Sequence, residues 1–310
     1  MAGMGEVRQP RGTGVALRDP LPWQRFAGAA RLAEELGYAA TFLPEIAGRD
    51  AFAALTGLAG ETSEVLLGTG VVPMTARTPL LTAMGAATVH ERSGGRAILG
   101  LGTGPAVSGA LDRLRDLVGE VRALLAGQRI GGARLSVRVP TPVPIWIAAL
   151  GPRALRTAGE VADGVLLNWC PPERVAQARD AVRSAAGAAG RDPDGVAIAV
   201  YVRASLGEGA DVLDPIRRAA GEYASYPAYA RQFAAVGLAE ETEAAARAHR
   251  ARRPGDVPDD LVRAVALVGD REAARERLEA YRLAGADLCL VYPVGTGEGF
   301  IADTLRALAP

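Results

Sequence analysis

The sequence holds 310 residues, 49% of them apolar and 23% charged, enough apolar material for a large core. Its 35 basic side chains are balanced by 35 acidic ones, so no basic field draws nucleic acid or an anionic membrane. Every basic side chain is an arginine, which excludes a lysine Schiff base or a lysine phosphate anchor.

Residues 1–13 lack the apolar core of a signal peptide. Gly14–Leu17 then reads as a first strand, followed by a helix at Pro22–Leu36 that Gly37 closes. Ala39–Leu43 is a second strand, with a helix from Asp50 to Glu61. Val65–Val72 is a third. Thr78 followed by Pro79 is a strong helix start, and Gly94-Gly95 ends that helix. Ala97–Leu101 is the fourth strand. The helix Ser108–Leu125 after it carries apolar residues three and four apart, from Leu111 to Leu125.

Gly127–Pro144 has no helical pattern and reads as an excursion. Ile145–Ala149 and Val165–Asn168 are strands five and six, each followed by a helix, at Arg153–Ala162 and Glu173–Ala189. Val196–Val202 is the seventh strand. Gly207–Asp256 is polar and alanine-rich and reads as a helical insertion. Asp270 caps the helix Arg271–Ala284, Leu288–Tyr292 is the eighth strand, and Ile301–Leu308 is a last helix.

Strands alternating with helices pair in parallel, and eight such units favour a closed (β/α)8 TIM barrel, an α/β fold, over an open doubly wound sheet. The dinucleotide fingerprint of the rival fold is weak here, because Gly12-Thr-Gly14 lacks the third glycine. The whole chain, 1–310, reads as one barrel domain with 207–256 inserted. No run is long and apolar enough to span a bilayer. Cys170 and Cys289 form neither a disulfide framework nor a metal motif, and a reducing cytoplasm is the expected compartment.

Active-site groups of a barrel project from the carboxyl ends of its strands. Those ends carry few acid or base groups here. His90 and His249 fall on helices and read as packing or surface residues, and no side chains have metal-ligand spacing. Glycine-lined strand ends without an acid/base set suit a bulky cofactor that brings its own chemistry. Gly151-Pro152-Arg153 opens a helix straight after a strand, so free backbone N–H groups there can hold a phosphate. The glycines of Gly68-Thr69-Gly70 point to a bulge, a flat ligand or close strand packing.

Three stretches carry a family resemblance: LLGTGVVPMTARTPLLTAMGAATVHERSGGRAILGLGTG (Leu66–Gly104), PIWIAALGPRALRTAGEVADGVLLN (Pro144–Asn168) and FLPEIAGRDAF (Phe42–Phe52). Together they resemble the luciferase-like monooxygenase family, in its branch dependent on the deazaflavin coenzyme F420. The resemblance runs from Gly14 to Gly285 and is weak across Gly207–Asp256. It implies a cofactor ring over the strand ends and a non-prolyl cis peptide within Gly68–Val71, at Gly70–Val71 first. Thr69, Gly70 and Val71 would back the ring. Ala149 and Leu150 would lie beside it, Gly151, Pro152 and Arg153 would hold the phosphate, and Asn168 and Trp169 would line the mouth. Glu45 is the strand-end carboxylate for a catalytic role, as a ring contact or proton donor, with a salt-bridged loop alongside Arg49 and Asp50 as the other reading. The loop from Gly104 to Leu111 is shorter than the family's usual segment, which implies a more open mouth.

The resemblance therefore implies an oxidoreductase passing a hydride between F420 and a small organic substrate, often as a homodimer. An FMN-dependent monooxygenase and a non-catalytic cofactor-binding barrel are the competing readings. Tyr223, Tyr226, Tyr229 and Phe233 are spaced as one helix face, for core packing, a dimer contact or a cover over the mouth.

Overall fold

The computed structural model describes residues 10–18, 20–104 and 108–310. Residues 1–9 of the segment read against a leader and the middle of the short Gly104–Leu111 loop (residues 105–107) lie outside the described residues.

The chain runs β1 (Gly12–Ala16), α1 (Trp23–Glu35), β2 (Ala40–Leu43), α2 (Ala51–Leu58), β3 (Leu66–Thr69), β4 (Val72–Pro73), α3 (Pro79–Arg92), β5 (Ala97–Gly102) and α4 (Ala110–Leu125). It continues through β6 (Ile145–Ala148), α5 (Pro152–Val161), β7 (Gly164–Asn168), α6 (Pro172–Ala188) and β8 (Ala197–Leu206). The insertion holds α7 (Ala210–Ala224), α8 (Pro227–Ala234), α9 (Ala239–Arg250), α10 (Asp259–Val265) and β9 (Ala266–Gly269). α11 (Arg271–Leu283), β10 (Leu288–Pro293) and α12 (Phe300–Ala307) complete the chain.

All strand pairings in the sheet are parallel, and β10 pairs with both β1 and β8, which closes an eight-stranded barrel. Local chemistry sets the helix starts. Asp50 accepts from the Ala53 N–H at 2.9 Å, Thr78 from Leu81 at 3.3 Å with Pro79 behind it, and Asp270 from Ala273 at 2.9 Å.

Apolar layers fill both faces of the sheet, as parallel strands require. Inside the barrel, Phe42 and Trp146 sit 5.5 Å apart between ring centroids. Glycines make room for them. A β-carbon on Gly68 would stand 2.4 Å from the Phe42 ring, and one on Gly164 would stand 2.5 Å from Trp146. Gly68 is thus a packing glycine. Trp169, Ile216, Phe233 and Leu261 form a separate apolar cluster under the insertion.

Two features depart from the sequence reading. β8 runs to Leu206 rather than Val202, because its last residues pair with β9, which extends the insertion to Gly269. The tyrosines of the insertion do not share one helix. α7 stops at Ala224 and Pro227 starts α8, since a proline disfavours helical geometry in the residue before it. Their rings still meet: Tyr223 lies 4.8 Å from Tyr229 and 5.6 Å from Tyr226.

Candidate active site

β3 ends at Thr69, the Gly70–Val71 peptide is cis, and the chain re-enters the sheet as β4 beside β5. Three neighbouring strands hold this bulge. The Gly70 N–H donates to the Leu43 carbonyl at 2.8 Å, and the Glu45 N–H donates to the Val71 carbonyl at 3.3 Å. Thr69 Oγ1 donates to the Gly100 carbonyl at 2.8 Å and accepts from the Gly100 N–H at 2.7 Å, standing in for ladder bonds the bulge removes. From β8, the Tyr201 hydroxyl donates to the Gly70 carbonyl at 2.9 Å.

Above the bulge lies a cavity of about 450 Å³, within the range of small-molecule sites. Gly70, Val71 and Tyr201 form one side, and Ala148 through Gly151 form another. Gly102, Thr103 and Gly104 line the end of β5, while Asn168 and Tyr229 close the mouth beneath α8. The wall is largely apolar. At the far end Gly151 opens α5 without a side-chain cap, so first-turn N–H groups stay available. Arg174 donates to the Leu150 carbonyl at 3.2 Å and steadies that turn.

The structure brings Gly70, Val71, Ala149, Leu150, Gly151 and Asn168 to this cavity. Other residues expected there stand elsewhere. Thr69 is buried and spent on Gly100, because successive strand residues face opposite ways and Gly70 faces the cavity. Pro152 and Arg153 sit on the exposed first turn of α5, outside the cavity wall. Trp169 is fully buried under the insertion; its backbone leaves the strand with φ of 50°, turning the ring away from the mouth. Glu45 is also outside the wall. Its carboxylate accepts from the Ala51 N–H at 2.7 Å and from Arg77 at 3.0 and 3.3 Å, and Arg77 also pairs with Asp50.

Sequence reasoning missed Arg203, Tyr201 and the individual role of Tyr229. Closing strand seven at Val202 stops one residue short of Arg203. This guanidinium is 5% exposed and pairs with no carboxylate among the described residues. It sits over the rings of Trp169 (4.6 Å), Tyr292 (4.8 Å), Tyr223 (5.5 Å) and Tyr201 (5.7 Å) and donates to Asn168 Oδ1. Desolvated cation–π contacts, worth from about 0.5 to 2 kcal/mol for the nearer rings, offset part of its burial.

Two larger hollows lie elsewhere. One, of about 600 Å³, is ringed by Asp211, Asp270 and Asp303 against one cation, Arg271, a net negative lining that suits an anionic ligand poorly. The other, about 770 Å³, lies on the outer surface between α4, α5 and α6, away from the strand ends. Among the described residues no group of His, Cys, Asp and Glu could hold a metal, and no helix is long and apolar enough to cross a membrane. His90 is buried and paired with Thr141 at 2.8 Å, a packing role.

An eight-stranded parallel barrel with a glycine bulge under a strand-end cavity defines the class. The sequence model of the luciferase-like monooxygenase family matches residues 5–288, and the chain belongs to that family.

Over 204 residues the chain is 34% identical to the 5,10-methylenetetrahydromethanopterin reductase of Methanolobus tindarius, a match covering 60% of this chain and 62% of that one. Over 189 residues it is 36% identical to the phthiodiolone/phenolphthiodiolone dimycocerosates ketoreductase of Mycobacterium tuberculosis, covering 52% and 49%. The chain thus spans less than two thirds of the length of either relative.

Two solved structures share the fold. The coenzyme F420 dependent tetrahydromethanopterin reductase from Methanopyrus kandleri has a TM-score of 0.80 at 23% identity, covering 96% of this chain and 97% of that one. An F420-dependent secondary alcohol dehydrogenase, in complex with an F420–acetone adduct, has a TM-score of 0.81 at 16% identity, covering 97% and 100%.

Proposed function

We propose that the protein is an F420-dependent oxidoreductase that passes a hydride between the deazaflavin and a small organic substrate. One observation carries this reading: a single cavity has a glycine bulge at one side and an uncapped helix start at the other. A flat ring joined to a phosphate needs those two ends. The fit is physical. Gly70 brings its backbone to the wall with the Tyr201 hydroxyl filling its side-chain place, Val71 and Ala148 offer a smooth apolar face, and Gly151 leaves open space where a β-carbon would stand. The F420-dependent reductase and F420-dependent alcohol dehydrogenase whose structures share this fold support the same cofactor.

When bound, the deazaflavin supplies the hydride chemistry; the chain supplies position and surroundings. The first-turn N–H groups of α5, with the exposed Arg153, would hold the phosphate. Gly70 and Val71 would support the ring, and the apolar wall would exclude water. Glu45 would act by position: it ties Arg77 and the start of α2 to the segment beside the bulge. FMN is the competing ligand, because the same wall accepts another tricyclic ring. Titrating the protein with each cofactor and following fluorescence separates them. Micromolar F420 binding supports the reading; micromolar FMN binding with no response to F420 overturns it.

We further read the chain as one barrel domain and place it in the cytoplasm, where the buried thiols of Cys170 and Cys289 stay reduced. The half-exposed Leu81 and Met84, one turn apart on α3, support a homodimer. Light scattering on the purified protein tests that state.

A further inference from the structure

Asn168 sits between two side chains whose chemistry fixes its orientation. A guanidinium can only donate, so the atom facing Arg203 is the Asn168 carbonyl oxygen. The amide nitrogen then faces Tyr229 and donates to its phenolic oxygen at 2.7 Å. The Tyr229 oxygen is therefore an acceptor in this pair, and its own proton is free for another partner. Tyr229 lines the cavity, and its ring is set edge-on against Tyr223 at 4.8 Å. The order Arg203, Asn168, Tyr229 is a one-way relay that presents an O–H to whatever occupies the cavity.

Burial pushes the Tyr229 phenol up to about 12, while Asn168 and Arg203 pull against it. At neutral pH it is a neutral donor. Among the described residues the wall around it carries no carboxylate, imidazole or guanidinium: Glu45 is outside the cavity and engaged by Arg77. Of the other hydroxyls on the described wall, Tyr201 donates to the Gly70 carbonyl and Thr103 to the Gly104 carbonyl, so the Tyr229 O–H is the one left for a neutral ligand bearing a strong acceptor.

We propose that Tyr229 is the catalytic proton donor of this site and that the substrate is a ketone or enone whose carbonyl oxygen accepts its hydrogen bond. The proposal rests on the F420 reading above. For a ketone, the carbonyl carbon gains the hydride from the reduced deazaflavin, and the C=O π pair moves onto oxygen. The Tyr229 O–H bond breaks and its proton passes to that oxygen, giving an alcohol. The phenolate left behind is held by the Asn168 N–H, with the Arg203 charge behind it, and regains a proton from water. Arg203 and Asn168 are positioning residues in this scheme.

The test compares the wild type with Tyr229→Phe and Asn168→Asp, each loaded with oxidised F420. The second variant keeps every side-chain shape but reverses the relay. A carboxylate accepts from Arg203 and also from Tyr229, turning the phenolic proton away from the cavity. The probes are ¹³C-carbonyl cyclohexanone and 2-cyclohexenone, read by difference infrared spectroscopy.

The expected result is a red-shifted carbonyl band in the wild type that both variants lose, each measured at an F420 concentration that saturates that variant by its own titration. With reduced F420, cyclohexanone turnover should fall about 100-fold or more in both variants, in kcat rather than KM. A wild type with no red-shifted band, or variants that retain the band and the rate, would overturn the proposal. Failure of the wild type to bind F420 would instead overturn the cofactor reading, and near-ultraviolet circular dichroism identifies a variant that has lost its fold.

Discussion

The Tyr201 hydroxyl donates to the Gly70 carbonyl at 2.9 Å and stands 1.7 Å from where a β-carbon on residue 70 would sit. One side chain both satisfies the bulge and forbids anything larger than glycine there. Gly70→Ala forces Tyr201 or the bulge to shift, with an expected loss of about 1–3 kcal/mol or more, the range for overpacked interiors. Tyr201→Phe leaves a buried carbonyl without its donor, at about 1–3 kcal/mol. Combining the two should recover part of the alanine penalty, because the closest clash is gone. Denaturant melts of the three variants check this; a Gly70→Ala protein as stable as wild type would refute the coupling.

Glu45 holds Arg77 and the first turn of α2 through its carboxylate. Glu45→Gln keeps the shape but weakens charge-assisted bonds worth about 1.5–3 kcal/mol each when lost outright. The expected outcome is a lower Tm and weaker F420 binding with an unchanged pH–rate profile. A profile that loses one limb would make Glu45 the proton donor.

Arg153 lies exposed on the first turn of α5, and its guanidinium reaches no ion-pair partner among the described residues. If that turn holds the cofactor phosphate, Arg153→Gln removes about 0.3–1 kcal/mol of attraction, or roughly two- to fivefold in Kd at low salt. The deficit should shrink as salt rises. Fluorescence titrations at two salt concentrations decide it, and equal affinities at low salt would move the phosphate elsewhere.

Burial pushes the His90 imidazole below its ordinary 6.5, with the bond to Thr141 pulling partly back. The fold therefore favours the neutral ring. Below pH 6.5 the unfolded chain binds more protons than the folded one, so this stability is present above 6.5 and declines as pH falls toward the folded value. His90→Gln removes the titration. Its Tm should fall less than that of the wild type between pH 7 and pH 5.

Most of the barrel is legible in the sequence because each unit carries its own punctuation: Asp50, Thr78-Pro79, Asp270, and glycines closing the helices. β4 and β9 are too short to show a period, and their pairing with β5 and β8 depends on tertiary contacts. On the cavity wall, Gly70 and Gly151 are legible because glycine marks them, and Val71 because it follows directly on the bulge. Alternation puts Thr69 off the cavity wall, since it faces away from the side Gly70 takes. Trp169 turns in under the insertion because its φ of 50° breaks the alternation after Asn168. Arg203 and Tyr229 meet at Asn168 only through the insertion, and neither spacing nor composition reports that meeting.

The most direct measurement is a crystal structure of the protein soaked with F420. The account predicts the deazaflavin ring against Gly70–Val71, its phosphate on the first turn of α5 at Gly151, and Tyr229 facing the open side of the ring. F420 density in another hollow, or a cavity that takes FMN and refuses F420, would contradict it.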